Sequence, residues 1–529
     1  MRKISGRSFV LGAAILSFAG IICKVIGVLF RVWANNIIGE AGMAYYEVVF
    51  PFYSWLLILS SSGIPIAISK MVAERVAVGD YADGRKVFRK SLLLLSIVGI
   101  VTTAVLFFGA DFFTVYVIGL DVSASVIFKV LAPALFFVSM LCAYRGYLQG
   151  LQLMSGTGVS QIAEQVFKCV FGLSLAAYFM QKTGQPLDGA CGALLGIAIS
   201  EAIALIIMML FKFAHRRDCM PLDADRQAKD KRPVLRTMLK IAIPITLGAS
   251  ILPITSIIDV SMIYSIMKGV NVDQAYVALS TYVRSIINLP ASVTVALAMS
   301  LVPAISASVA RKDEEGVRRA SRMGVKLSMF IGLPCAVGLF VLGAPIVEML
   351  FRNVSDDTLK IVERIFMVAS FTVIFISLVQ TATGALQGIG KHRIPVYCLL
   401  IGAAAKIVVN LVLLPMESVN IVAASWSNVA CYGIAGILDV IFLAKHTKMR
   451  LSVWKIFLKP LIASLVMGLF VYFAYDVLYA IRAGTMMTLV CVILGVAVYI
   501  AMSFVLRVFD ADELQYIPFL RKFGKGRTK

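Results

Sequence analysis

Long apolar runs, separated by short polar stretches, recur along almost the whole chain. Runs such as 187–213 and 486–506 are each long enough to cross about 30 Å of hydrocarbon as an α-helix. Because lipid offers no partner to backbone N–H and C=O groups, the runs are predicted to be helices rather than open strands. The first run is too long for the core of a cleavable signal and contains Lys24 and Arg31, so we expect it to be the first membrane helix.

The runs predict about fourteen crossings, with a charged linker at 214–232 after the sixth. A short, basic tail follows the last crossing. The fold class is therefore an all-α polytopic membrane protein. The predicted crossings are 9–33, 44–72, 91–110, 124–149, 157–180, 187–213, 239–267, 275–307, 322–349, 360–387, 393–415, 419–444, 455–478 and 485–507.

Composition agrees with this class. Hydrophobic residues make up 60% of the 529 residues and charged residues 15%, whereas a soluble domain is roughly 45–50% apolar and about 25% charged. Mean hydropathy is +0.91. A water-soluble fold would have too little polar surface to cover such a core.

The net charge of +21 is concentrated in alternate loops. This is the positive-inside pattern, and it predicts an inner-membrane protein with both termini cytoplasmic and an even number of crossings. The basic surplus then reflects topology and attraction to anionic membrane lipids, not nucleic-acid binding. The basic clusters lie at 2–7, 70–90, 212–240, 311–326, 391–393, 445–459 and 507–529.

The sequence offers no sign of an enzyme or of a resident cofactor. Eight of the nine cysteines lie inside apolar runs, Cys219 lies in a basic loop, and none forms a CxxC or Cys/His pattern. No phosphate loop or catalytic triad motif appears, and the loops are too short to house a catalytic domain. We therefore expect a transporter.

An internal repeat divides the chain at the linker. Gly146-Tyr-Leu-Gln-Gly150 recurs 238 residues later as Gly384-Ala-Leu-Gln-Gly388, and at the same offset Lys168 meets Lys406 and Pro65 meets Pro303. Two parallel six-helix bundles with substrate between them are a transporter plan. The predicted domains are a first bundle (1–213), a linker (214–238), a second bundle (239–447) and two extra helices with a basic tail (448–529).

Ionisable residues inside membrane helices are functional candidates because burying their charge in lipid is costly. Lys24 and Arg31 are two turns apart and share a helix face. A cationic cavity would suit a diphosphate, which arginine binds through its bidentate fork; the alternative is internal ion pairs or snorkelling. The basic candidates for substrate binding are Lys24, Arg31, Arg145, Lys168, Arg284 and Lys406, and the acidic residues are Glu47, Glu164, Glu201, Asp259 and Asp439.

Spacing refines these expectations. Glu164 and Lys168 lie four residues apart, which favours an ion pair within one helix, whereas Lys406 has only Gly402 at the equivalent position.

Asp259 and Asn410 offer hard oxygen ligands to a cation. Glu201 and Asp439 are expected to be structural. The repeat counterpart of Arg145 is Thr383, so the symmetry of the repeat does not require an arginine at this position.

Three stretches resemble one transporter family. They are Cys23-Lys-Val-Ile-Gly-Val-Leu-Phe-Arg31 with Gly39-Glu-Ala-Gly42, Gly63-Ile-Pro-Ile-Ala-Ile-Ser-Lys70, and Arg145-Gly-Tyr-Leu-Gln-Gly150 with Ser160-Gln-Ile-Ala-Glu-Gln165. They are similar to the multidrug/oligosaccharidyl-lipid/polysaccharide exporter superfamily, within it to the group of stage V sporulation protein B and the MurJ-like lipid II flippases. The resemblance covers essentially the whole chain.

This resemblance implies alternating-access export of a polyprenyl-diphosphate-linked oligosaccharide for the cell wall or for sporulation. It places Lys24, Arg31 and Arg284 in a cationic cavity and a sodium site at Asp259 and Asn410. The second acid that the family usually carries is Leu414 here, so either Na⁺ or H⁺ is left open as the coupling ion. Cell-wall or spore-cortex synthesis proteins are the expected partners.

Two other functions would make different demands on the sequence. A cation-coupled multidrug exporter of the same superfamily would need acids in the core, whereas this core is at least as basic as acidic. A membrane glycosyltransferase would need a large extracytoplasmic loop bearing paired carboxylates, and no loop is long enough.

Overall fold

A computed structural model describes residues 6–215, 233–267, 271–351, 354–481 and 485–509, and within these ranges the chain is helical without strands. The termini and most of the linker, with Cys219, lie outside the described residues. The helices are α1 (Gly6–Ser61), α2 (Gly63–Ala77), α3 (Tyr81–Phe108), α4 (Val126–Gly150), α5 (Met154–Thr183), α6 (Pro186–Ala214), α7 (Val234–Ile266), α8 (Arg284–Ala310), α9 (Glu314–Leu350), α10 (Asp356–Gly388), α11 (Arg393–Leu413), α12 (Val422–Thr447), α13 (Lys459–Ile481) and α14 (Thr485–Val505).

Thirteen helical segments of the described ranges are long and apolar enough to cross a membrane. The first, Ile22–Ala77, has 56 residues, about twice the length that one crossing needs. It is broken at Gly39, whose φ of 69° suits glycine. Arg31 and Glu47 would lie about 24 Å apart on a straight helix, but they form an ion pair of 2.9 Å. The chain therefore folds back at Gly39, and the protein is a multi-pass membrane protein with the fourteen crossings that the sequence predicts.

The described residues form two compact units. Unit 1 comprises the described residues up to 267 together with 271–277, and unit 2 comprises those from 278 onward. Helix α7 packs against α1 and α2 in unit 1, although the sequence groups it with the second repeat. It also begins at Val234, slightly before the predicted bundle boundary at 239. Packing and repeat membership are different properties, so the predicted domain boundaries stay a prediction.

The same helix pairs recur within each unit. In unit 1, α4 packs against α2, α3 and α6, and α5 packs against α6; in unit 2, α10 packs against α8, α9 and α12, and α11 packs against α12. Glycines allow the closest approaches: a Cβ on Gly146 would lie 2.9 Å from the carbonyl oxygen of Pro65, and one on Gly384 would lie 2.9 Å from that of Ala298. These parallel contacts support the predicted repeat.

The contacts also revise the repeat's register in its second helix. Gly384 faces Ala298 rather than Pro303, so Pro65 corresponds to Ala298 at an offset of 233 residues. Helix caps agree with this shorter offset: Asp80 accepts a hydrogen bond from the backbone of Asp83 at 2.8 Å, and Asp313 accepts one from Gly316 at 2.8 Å. The segment from Asp313 to Gly384 of α10 is longer than the segment from Asp80 to Gly146 of α4. This difference in length restores the 238-residue offset later in the chain.

The last two helices pack on α9 in unit 2. Leu342 of α9 shares a buried cluster with Met467 and Val471 of α13 and with Cys491 and Tyr499 of α14. The Tyr499 hydroxyl donates a hydrogen bond to the backbone carbonyl of Phe330 at 2.8 Å. These contacts hold α13 and α14 to unit 2 by side-chain packing.

Candidate substrate and ion sites

The N-terminal hairpin pairs one predicted cation with an acid. Arg31 lies eight residues before the turn at Gly39 and Glu47 eight residues after it, so the hairpin brings them side by side. Arg31 Nε lies 2.9 Å from Glu47 Oε1, and its Nη2 donates to Oε2 at 3.3 Å. Glu47 is buried and the Arg31 side chain is 22% exposed. This two-contact geometry is typical of an arginine–carboxylate pair.

Lys24 lies two turns before Arg31 and is exposed on α1. Among the described residues it forms no ion pair or hydrogen bond. Its ammonium group is therefore available to an external anion.

Arg145 on α4 connects to α5 through two polar contacts. Its Nη2 forms an ion pair with Glu164 Oε2 at 2.9 Å, and its Nε donates to Ser160 Oγ at 3.1 Å. The Arg145 and Glu164 side chains are 15% and 18% exposed. Most of the Arg145 charge is thus compensated locally.

Lys168 does not form the ion pair with Glu164 that the four-residue spacing favours. The Glu164 carboxylate instead accepts from Arg145 and from the Gln165 side-chain amide, at 2.9 and 3.2 Å. The Lys168 ammonium lies over the rings of Phe30 and Phe50, 4.6 and 5.6 Å from their centroids. The expectation was wrong because the Arg145 guanidinium on α4 forms the ion pair with this carboxylate, while aromatic faces stabilise the ammonium.

Arg284 begins α8 in unit 2, directly after a π-helical turn at Ala278–Val283. Such turns interrupt regular helices and occur frequently at functional sites. The arginine is half-buried, and its neighbours Val283, Ser285 and Ile286 are buried. Within the described part of the chain the guanidinium has no hydrogen-bond or ion-pair partner, in contrast to Arg31 and Arg145.

Lys406 and Asn410 are buried one turn apart on α11 in unit 2, and Asp259 is buried on α7 in unit 1. Asp259 and Asn410 thus belong to different compact units, and a cation site between them stays a prediction. Within the described ranges, no group of three His, Cys, Asp or Glu side chains could hold a metal ion.

Sequence reasoning placed the cations on their helices but missed their partners. Glu47 as the partner of Arg31 could have been found from their equal spacing about Gly39. The contact of Phe30 and Phe50 with Lys168 has no signal in local spacing, because it depends on how α1 packs against α5.

Comparison with known proteins adds a family and a fold. Residues 58–492 match the family model described as lipid II flippase MurJ. Three Bacillus subtilis proteins align with the chain: the uncharacterized membrane protein YabM at 27% identity, over 97% of this chain and 96% of its own length; lipid II flippase MurJ at 23%, over 77% of each chain; and stage V sporulation protein B at 23%, over 97% and 98%.

Solved structures show the same fold. A lipid II flippase MurJ in an inward closed conformation matches with a TM-score of 0.71 at 15% identity, over 93% of this chain and 98% of that chain. An inward-facing multidrug resistance MATE family transporter of the MOP superfamily matches with a TM-score of 0.65 at 16% identity, over 80% and 94%.

Proposed function

The chain belongs to the lipid II flippase MurJ family, and from this premise we propose that it moves a polyprenyl-diphosphate-linked oligosaccharide across the bacterial cytoplasmic membrane. The substrate class is a peptidoglycan precursor such as lipid II, or a related cell-wall or sporulation intermediate. Movement follows alternating access, in which cationic side chains hold the diphosphate while the lipid tail stays in the bilayer.

The observation that carries this proposal is the unpartnered state of Arg284 within the described residues. A guanidinium in an apolar helix is costly unless an anion compensates it. A diphosphate offers several oxygens to the planar fork of arginine, and each charge-assisted hydrogen bond is stronger than a neutral one. In unit 1, Lys24 is exposed and also without a partner among the described residues, and it is our second candidate for binding phosphate.

The paired cations have a different part in the proposal. Arg31 and Arg145 are bound to Glu47 and Glu164, so a phosphate must compete with a carboxylate for each of them. We assign them to positioning the headgroup as the transporter changes conformation. Lys168 in unit 1 and Lys406 in unit 2 are proposed as weaker, point-charge contacts for substrate.

The membrane setting follows from the loop charges. With basic loops inside, both termini and the linker face the cytoplasm. Membrane lipids surround the protein, and cell-wall or spore-cortex synthesis proteins are the partners that would use the exported product.

A cation-coupled multidrug exporter is the alternative, and its support is the likeness in fold to a MATE family transporter. An exporter of cationic drugs needs free carboxylates in its binding region. Glu47 and Glu164 are instead bound to arginines. At these two positions the arginines therefore compensate the carboxylates that a cationic drug would need.

The test is complementation of a bacterium depleted of its lipid II flippase. We expect the chain to restore growth, Arg284→Ala to abolish rescue without lowering the amount of protein in the membrane, and Arg284→Lys to rescue in part. Arg311→Ala is the matched control, because Arg311 is an exposed arginine directly after the C-terminal end of the same helix. Full rescue by Arg284→Ala would refute the assignment of Arg284 to the diphosphate.

A further inference from the structure

Two buried carboxyl groups occupy equivalent positions in the two units. Glu201 of α6 and Asp439 of α12 are separated by the 238-residue repeat offset, and they are only 6% and 0% exposed. The surrounding polar residues are also equivalent: Arg145 corresponds to Thr383, and Ser160 corresponds to Cys398. Neither acid takes part in the substrate contacts proposed above.

Among the described residues, no cation lies beside Asp439. Its Oδ2 accepts a hydrogen bond from the Thr383 hydroxyl of α10 at 3.3 Å, and Cys398 of α11 is its other polar neighbour. Its Oδ1 is buried and has no hydrogen-bond partner in the described part of the chain. The described parts of α9, α10 and α11, which pack against α12, bring no other titratable or charged group to this carboxyl.

Glu201 lies beside an ion pair that is already complete. Its Oε2 is buried without a hydrogen-bond partner within the described ranges, and its carboxyl is within hydrogen-bonding reach of Glu164. The Arg145 guanidinium is bound to Glu164 and Ser160. The titratable and charged groups facing Glu201 are Arg145 and Cys142 of α4, Glu164 and Lys168 of α5, and Tyr53 of α1.

Lys168 does not supply the missing counter-charge by direct contact, because its ammonium lies over the rings of Phe30 and Phe50. The carboxyl groups of Glu164 and Glu201 therefore have a single guanidinium near them, that of Arg145. Two neighbouring carboxylates repel each other unless a proton is shared between them. In unit 2 the equivalent carboxyl has a hydroxyl and a thiol as its neighbours, and neither carries a compensating charge at neutral pH.

We propose that Glu201 and Asp439 are proton-binding sites, one in each unit. A bound proton removes the cost of a carboxylate in a membrane interior and turns one unsatisfied acceptor into an O–H donor. A sodium ion fits Asp439 poorly, since Na⁺ requires several hard oxygen ligands and a thiol occupies one of the neighbouring positions. If transport is driven by the binding and release of these protons, that coupling rests on the flippase function proposed above.

Infrared spectroscopy of the purified full-length protein tests the proposal directly. At neutral pH we expect carbonyl-stretch bands of protonated carboxyl groups, with one component lost in Asp439→Asn, another in Glu201→Gln, and both in the double variant. Asp357→Asn is the control, because Asp357 is exposed and pairs with Lys360. Should Asp439→Asn fail to fold, Thr383→Val removes the hydrogen bond to Oδ2 and should shift the Asp439 band.

Absence of protonated-carboxyl bands from the folded protein at neutral pH would overturn the proposal. Bands that stay unchanged in Asp439→Asn, Glu201→Gln, the double variant and Thr383→Val would overturn it as well. A separate transport assay distinguishes this failure from failure of the proposed function. Loss of the bands in the variants of a protein that does not move lipid-linked saccharide would support the proton sites and refute the flippase function. Sodium-dependent transport by a protein that lacks the bands would support the flippase function and refute the proton sites.

Discussion

At the scale of single residues, the role of each membrane cation depends on what surrounds it. Arg31 and Arg145 have carboxylates at 2.9 Å, Lys168 lies over aromatic rings, and Arg284 has no partner within the described residues. Similar residue types in apolar helices thus differ in how readily they bind an external anion. The unpartnered arginine is the strongest diphosphate candidate.

The Arg145–Glu164 pair gives a residue-scale prediction about stability. Arg145→Met leaves a poorly solvated carboxylate and should lower the free energy of unfolding by about 1–3 kcal/mol. Adding Glu164→Gln should recover part of the loss, since the uncompensated charge is then removed. Thermal unfolding in detergent measures both changes.

The control for these variants is Lys360→Met. It breaks the ion pair of Lys360 with Asp357, whose side chains are 75% and 82% exposed. Exposed pairs contribute little, so its effect should be near zero. The losses in the free energy of unfolding of Arg145→Met alone and of Glu164→Gln alone are compared with the loss in the double variant. If the double variant loses as much as the two single variants together, Arg145 and Glu164 do not stabilise each other.

How much of the site could be predicted also depends on the residue. The helical positions of Arg31, Arg145 and Arg284 follow from apolar runs alone. The wrong ion pair between Glu164 and Lys168 arose because spacing within one helix says nothing about a competing arginine on another. Contacts between helices depend on rotation and register, which a single sequence does not specify.

At the scale of helices, glycines determine where α4 and α10 cross their neighbours. A Cβ on Gly146 would lie 3.1 Å from Pro65 Cα as well as close to its carbonyl oxygen. Since these are backbone atoms, a neighbouring side chain cannot simply move aside. Similar close contacts between Gly384 and Ala298 indicate the same arrangement in unit 2.

We therefore predict that Gly146→Ala and Gly384→Ala each destabilise the protein by about 1–3 kcal/mol, the usual cost of overpacking a tight contact. Gly20→Ala is the matched control: no atom of the described residues lies within 4 Å of its added Cβ, and alanine favours helix over glycine. Thermal unfolding of the three variants provides the comparison. Unchanged stability in Gly146→Ala would contradict the close α2–α4 crossing.

At the scale of the whole molecule, the sequence predicted the fold class, the fourteen crossings and the family correctly. These follow from apolar run length, loop charge and motifs spread along most of the chain. The packing of α7 with unit 1 and the shorter offset through Asp80 and Asp313 were not predictable, because both depend on contacts between helices distant in sequence. The two-unit organisation is consistent with a transporter, and the substrate remains the central claim.

The most direct measurement of that claim is translocation in liposomes that contain only the purified protein and a fluorescent polyprenyl-diphosphate-linked saccharide. An impermeant quencher reports how much substrate reaches the outer leaflet. We predict movement by the intact protein and by Arg311→Ala, little movement by Arg284→Ala, and no movement of a cationic drug analogue. Equal movement of the lipid-linked saccharide with intact protein, with Arg284→Ala and with empty liposomes would contradict the account.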